Sequence, residues 1–358
     1  MSDNTKSSQN RVYETRTYTN PIRPDYFADP FVWQAKGEYY AVGTGPLEAE
    51  GEARDAERGA AGMLAQLRIF PMLRSDDFVN WKPIRHALLP PIPTLGQEFW
   101  APEVAFHEGV YYMYYSIGGG ERGRHTLRVA TSPHPMGPYT DSGNYLVNPD
   151  TCPFSIDAHP FQDDDGQWYL FYACDFFDSE NGFRPGTGIV VDRLLDMTTL
   201  AGEPQVVLRA RSDWQRFEGG LFIYGHVFDW HTLEGPAVRK HDGKYYCLYS
   251  AGRWENESYC VDYGVADHVM GPYSDAGNES GARLLRATPD QIIGPGHCSL
   301  ITGPDKETEY IVYHAWDALR TARQMRIDRL EWTPDGPRCA PTVTPQSVRA
   351  LVDPQANL

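Results

Sequence analysis

Residues 109–118 read GVYYMYYSIG: a turn glycine, a bulky pair and an alternating strand. The same pattern recurs as GEYYAVGTG (37–45), GQWYLFYACD (166–175), GKYYCLYSAG (243–252) and TEYIVYHAWD (308–317). The second bulky residues, Tyr40, Tyr112, Tyr169, Tyr246 and Ile311, lie 57 to 77 residues apart. A repeated hairpin at this period is the signature of a propeller with four strands per blade. Five copies predict an all-β, five-bladed β-propeller. A second echo agrees: MGPY stands at 136–139 and again at 270–273. A β-sandwich predicts no such even spread of five hairpins.

Each hairpin follows a short strand with a polar start: ADPFVW (28–33), APEVAF (101–106), IDAHPF (156–161), EGPAVR (234–239) and GHCSLI (296–301). The first strand of a blade lines the channel. Asp29, Glu103, Asp157, Glu234 and His297 are therefore expected at one shared mouth, the active site. Strand direction puts loops 46–66, 118–125, 176–186, 252–259 and 316–324 on that face. Segment 46–66 is charged and Ala-rich, and reads as a lid over one end of the site. Residues 209–233 read as a long inter-blade connection. The chain divides into a partly flexible N-terminal segment 1–20, a propeller 21–340 and a tail 341–358 packing on it.

Composition narrows the ligand. The 358 residues hold 33 Gly, 28 Pro and 46 aromatics, which suits turns and strands. Net charge is −16, which excludes phosphate-rich partners: no nucleic acid and no anionic membrane surface. No run approaches a membrane span. The polar opening MSDNTKSSQN has no apolar targeting segment, so a cytoplasmic location is expected. Six scattered cysteines without CxxC spacing are read as free thiols.

Several carboxylates at one mouth point to glycoside hydrolysis. That chemistry needs an acid to protonate the leaving oxygen and a carboxylate to act as base or nucleophile. Sugar pockets also need flat apolar faces and polar clamps. Phe31, Trp100 and Trp316 are candidates for the faces. Arg320 and Arg323, in the last active-face loop, are candidates for the clamps, and His159 points to the same side of its strand as Asp157.

In ADPFV, FWAPEV, SIDAHPF, LEGPAV and GPGH, in that order over roughly residues 20–335, the chain resembles glycoside hydrolase family 43. The resemblance implies single-displacement hydrolysis with inversion. It implies Asp29 as general base, Glu234 as general acid, and Asp157 as the residue that sets the acid's pKa and orientation. It makes Glu103 an acid at the channel, and His297 the contact of a calcium or other metal ion near the axis. The implied substrate is a plant-derived, arabinose- or xylose-containing oligosaccharide and the implied activity α-L-arabinofuranosidase-like, with β-xylosidase and endo-arabinanase in the same family; an enzyme in the cytoplasm meets short oligosaccharides, so exo release is expected. A glycoside phosphorylase would replace the water-activating carboxylate with a basic phosphate site. A non-catalytic sugar-binding propeller would lack one of the three acids.

Overall fold

Five strands stand side by side around a central channel in the computed structural model, which describes residues 12–45, 69–119, 124–275 and 280–351. They are Ala28–Ala35, Gly96–His107, Ser155–Gln162, Leu233–His241 and Ile293–Thr302. Each neighbours the next, and the fifth closes on the first. Each opens an antiparallel sheet that runs outward through the expected hairpin strand: Glu38–Thr44, Val110–Gly119, Trp168–Phe176, Lys244–Ala251 and Glu309–Trp316. The fold is the expected five-bladed propeller. The described part of blade 4 has three strands in its sheet, while blades 1, 2 and 5 have four.

The alternation in the hairpins has a physical cause. A propeller strand is sandwiched, so both of its faces must be apolar. In 109–118, Tyr111, Met113, Tyr115 and Ile117 pack toward blade 1, against Val42, Phe70 and Met72. Tyr114 faces the other way, into a cluster with Leu170, Tyr172 and Val190 of blade 3. Three further clusters fill the remaining junctions: blades 3 and 4, 4 and 5, and 5 and 1. Full burial of one such side chain contributes about 1.5–3 kcal/mol. The two MGPY turns are equivalent too: the Tyr139 and Tyr273 hydroxyls each donate to a backbone carbonyl four residues back, both at 3.0 Å.

The chain ends meet at the last junction. The N-terminal stretch 1–20, expected to be partly flexible, holds a strand at Tyr13–Tyr18 that pairs with Gln346–Leu351. Tyr18 and Val348 enter the cluster between blades 5 and 1.

One stretch differs from expectation. Residues 209–233 are not a plain connection: Arg216–Ile223 and His226–His231 form an antiparallel hairpin, joined to blade 3 where His231 meets Gly186. Its turn is Tyr224-Gly225, both left-handed, with φ 56° and 80°. Segment 46–66 lies outside the described residues.

The inner strands share one irregularity. Register slips between Ala28 and Phe31, Trp100 and Glu103, Ile156 and His159, Glu234 and Ala237, and Gly296 and Ser299. Within each bulge one residue is left-handed: Asp29, Ala101, Asp157, Gly235 and His297, with φ between 46° and 59°. Such backbone costs on the order of 1–3 kcal/mol at a non-glycine residue and persists only when neighbours hold it. The preceding blade does so. The N–H groups of Asp29, Ala101, Asp157 and His297 donate to His314 Nδ1, Thr44 Oγ1, Ser116 Oγ and Ser250 Oγ, at 2.7–3.1 Å. In blade 4 the N–H of Leu233 donates to Thr187 Oγ1 at 3.2 Å.

Candidate active site

The bulges aim side chains at the channel mouth. Asp29, Asp157, Glu234 and His297 all line one cavity of about 790 Å³ there. Gly235 suits its place: its φ is 56°, and a Cβ would come to a tight 3.1 Å from His297 Nδ1. Its N–H donates to Asp157 Oδ2 at 2.9 Å, which ties the Asp157 carboxylate to the strand that carries Glu234.

The carboxyls sit in different fields. Burial works against the charge of Asp29, yet its carboxyl is held well below the usual range, chiefly by the Arg323 guanidinium. Arg323 Nη1 lies 3.3 Å from Asp29 Oδ1. Glu234 is pushed up to about 7, first by burial and then by the charge of Asp29; the Tyr259 hydroxyl, donating to Oε1 at 2.7 Å, works the other way. Asp157 also lies well above its ordinary value, from burial, then from the charges of Glu234 and Asp29. Asp29 is thus ionised where the Glu234–Asp157 pair still keeps a proton. One site holds a ready base and a ready acid.

Tyr259 was not singled out in the sequence. It is buried, its ring lies flat beside His314, and it reaches Glu234 only because residue 296 is glycine. A Cβ there would fall 2.0 Å from its ring. Loop 252–259 also supplies Trp254, over which the Arg323 guanidinium sits at 4.6 Å. Tyr26 accepts from Arg323 Nη2 at 2.8 Å. The 216–231 hairpin forms one wall, with Phe217, Leu221, Ile223, Tyr224 and Trp230. Tyr224 is pinned there by a hydrogen bond to the Asp175 carboxylate and by the Arg124 guanidinium over its ring.

Other expected contacts lie elsewhere. Trp100 and Arg323 line the cavity, whereas Phe31, Glu103, His159, Trp316 and Arg320 do not. Phe31 stacks on Trp33 and packs in the junction of blades 1 and 2. Glu103 is two residues past the bulge of blade 2, in the place that His159 has in blade 3, so both point below the mouth. They pair there: His159 Nδ1 lies 2.7 Å from Glu103 Oε2, and His159 Nε2 accepts the N–H of Val238 at 3.0 Å. Trp316 stands behind Trp254, stacked on it and donating to its carbonyl at 2.7 Å. Arg320 is at the surface, ion-paired with Glu257.

The metal expected at His297 lacks a donor set. No group of three or more His, Cys, Asp or Glu able to hold an ion occurs among the described residues. His297 Nδ1 instead lies 3.6 Å from Asp29 Oδ1 and 3.7 Å from Asp157 Oδ2, and burial keeps the imidazole neutral. No step is routed through an ion.

The model for Glycosyl hydrolases family 43 matches residues 18–337. Beta-D-galactofuranosidase xynD of Aspergillus niger is 28% identical over 92% of this chain and 87% of its own length. The Extracellular endo-alpha-(1->5)-L-arabinanase 1 of Bacillus subtilis is 25% identical over 86% of each. Among solved structures, a thermostable family-43 glycoside hydrolase superposes with a TM-score of 0.74 at 30% identity, covering 92% of this chain and 98% of that one. The cytoplasmic location expected from the opening residues finds no support in these relatives. No helix among the described residues is long and apolar enough to cross a membrane.

Proposed function

Because this chain belongs to glycosyl hydrolase family 43 and is a glycoside hydrolase, we propose that it removes terminal furanose units, foremost α-L-arabinofuranose, by single displacement with inversion. The observation that carries this reading is the opposed state of Asp29 and Glu234 in one cavity. Asp29, ionised and held by Arg323, takes a proton from water as that water attacks the anomeric carbon. Glu234 gives its proton to the departing glycosidic oxygen. Tyr259 donates to Oε1, which leaves Oε2 to carry the acid proton. Asp157, accepting the Gly235 N–H, orients Glu234 and shares the proton of the pair. Trp100 and Trp254 offer flat faces to the ring.

The pH profile follows from these fields. kcat/KM should fall above about pH 7, as Glu234 loses its proton. The acid limb should lie below the ordinary carboxylate range, where Asp29 is protonated. The Tyr259 hydrogen bond favours the charged form of Glu234, so Tyr259→Phe should move the alkaline limb upward. An unchanged limb in that variant would separate Tyr259 from the acid.

Exo action is supported by the 216–231 wall, which closes one side of the cavity. The test is product analysis on linear arabinan. Arabinose from chain ends is expected, and a spread of mid-length oligosaccharides from the intact enzyme would refute it. Tyr224→Ala loosens the wall and should raise the share of longer products. Relatives favour two furanose substrates, so the panel should pair aryl α-L-arabinofuranoside with aryl β-D-galactofuranoside and β-D-xyloside. Rates independent of added phosphate are expected of a hydrolase and not of a phosphorylase.

A further inference from the structure

Trp100 reaches the cavity with one side of its indole already covered. The His125 imidazole lies against that side, ring centroids 3.4 Å apart and planes 20° from parallel. Trp100 is still 36% exposed and lines the cavity. Its exposed surface is therefore the opposite side and the edge.

The local sequence explains how His125 comes to lie there. Strands Gly96–His107, Val110–Gly119 and Thr126–Ser132 run side by side in blade 2. Glu98 pairs with Gly118, Trp100 with Ser116, and Ile117 with Thr126. His125 stands one step beyond that last pair, opposite Gly118. The glycine leaves the space for the ring: a Cβ there would fall 2.4 Å from His125 Nδ1. Across this gap the imidazole meets Trp100 and brings Nε2 to 3.5 Å from Glu98 Oε2. Phe154 packs edge-on against it, at 6.1 Å between centroids. Glu98 and Trp100 are two residues apart on a regular stretch of strand, so their side chains share a face. Both line the cavity.

His125 is 4% exposed, too buried to hold a sugar itself. Burial keeps it neutral, and its Nε2 has no hydrogen-bond partner among the described residues. What it offers is a flat, uncharged ring. A platform fixed before the ligand arrives loses less freedom on binding than a mobile one.

We propose that His125 is a positioning residue for substrate: it fixes the Trp100 indole, so that the free side of Trp100, with the Glu98 carboxylate beside it, receives one sugar ring. The proposal rests on the reading above in taking Trp100 as a sugar face, and it deepens that reading.

The test is calorimetric binding of linear arabinotriose and xylotriose to Asp29→Asn protein, which binds without turning over. On that background His125→Ala should weaken whichever trisaccharide binds by about three- to tenfold. Trp100→Ala should weaken it at least as much, and adding His125→Ala to Trp100→Ala should cost nothing further, because the first acts through the second. His125→Phe keeps the flat ring and drops the unpaired nitrogen. It should bind within about twofold of the parent, with Tm unchanged or raised. In the active enzyme His125→Ala should raise KM by the same factor and leave kcat within about twofold. Additive losses from His125 and Trp100, a phenylalanine variant as weak as the alanine one, a lowered Tm with unchanged binding, or binding of neither trisaccharide would overturn the role. Turnover of aryl α-L-arabinofuranoside by the wild-type enzyme is measured separately. Its failure would count against the furanosidase reading alone, since the binding cycle reads whichever trisaccharide is held.

Discussion

Glu234→Gln enzyme is expected to lose about 10²–10⁴-fold in kcat/KM on arabino-oligosaccharides, the usual worth of a positioned general acid. The loss should shrink to less than about tenfold on a dinitrophenyl furanoside, whose leaving group departs without a proton. The glutamine keeps the shape of the side chain and an oxygen for the Tyr259 hydroxyl, so the pocket should stay intact. The alkaline limb near pH 7 should vanish, because the group that titrates there is gone. Equal losses on both substrates would mean that Glu234 does not protonate the leaving oxygen.

Asp29→Asn should cost a similar 10²–10⁴-fold, but on every substrate alike, since water must be activated whatever leaves. Its effect on pH is opposite in kind. Removing the Asp29 charge takes away a repulsion that raises Glu234 and frees Arg323, which lowers it. The alkaline limb of the residual activity should therefore move down. Retained activity on natural oligosaccharides would remove Asp29 from the chemistry.

The blades were legible because their cause is local. A strand sandwiched between two neighbours needs apolar residues on both faces, and GVYYMYYSIG carries them openly. Asp29, Asp157, Glu234 and His297 were legible by their place at the start of inner strands. Glu103 was misplaced with them because the bulge was invisible as such. The left-handed residue of blade 2 is Ala101, and the prolines at 30, 102 and 236, each following a bulge residue, were the available signal. Counted from those prolines, Glu103 aligns with Phe31 and Ala237, below the mouth. The 216–231 hairpin also left a trace, the Tyr224-Gly225 turn between apolar runs. Tyr259 and His314 left none. Their roles come from contacts between blades, where Gly296 makes room for one ring and the Asp29 N–H reaches the other. Arg320 and Arg323 are equally plausible in the sequence, three residues apart. Only the turn at Asp317–Ala322 decides which of them faces Asp29.

The most direct measurement is the anomeric configuration of the first sugar released, followed by proton NMR before mutarotation. Asp29 acting on water opposite Glu234 predicts that an α-L-arabinofuranoside yields β-L-arabinose first, with the α anomer appearing only later by mutarotation. Initial release of the α anomer would mean two displacements through a covalent intermediate, and would contradict the roles assigned to both carboxylates.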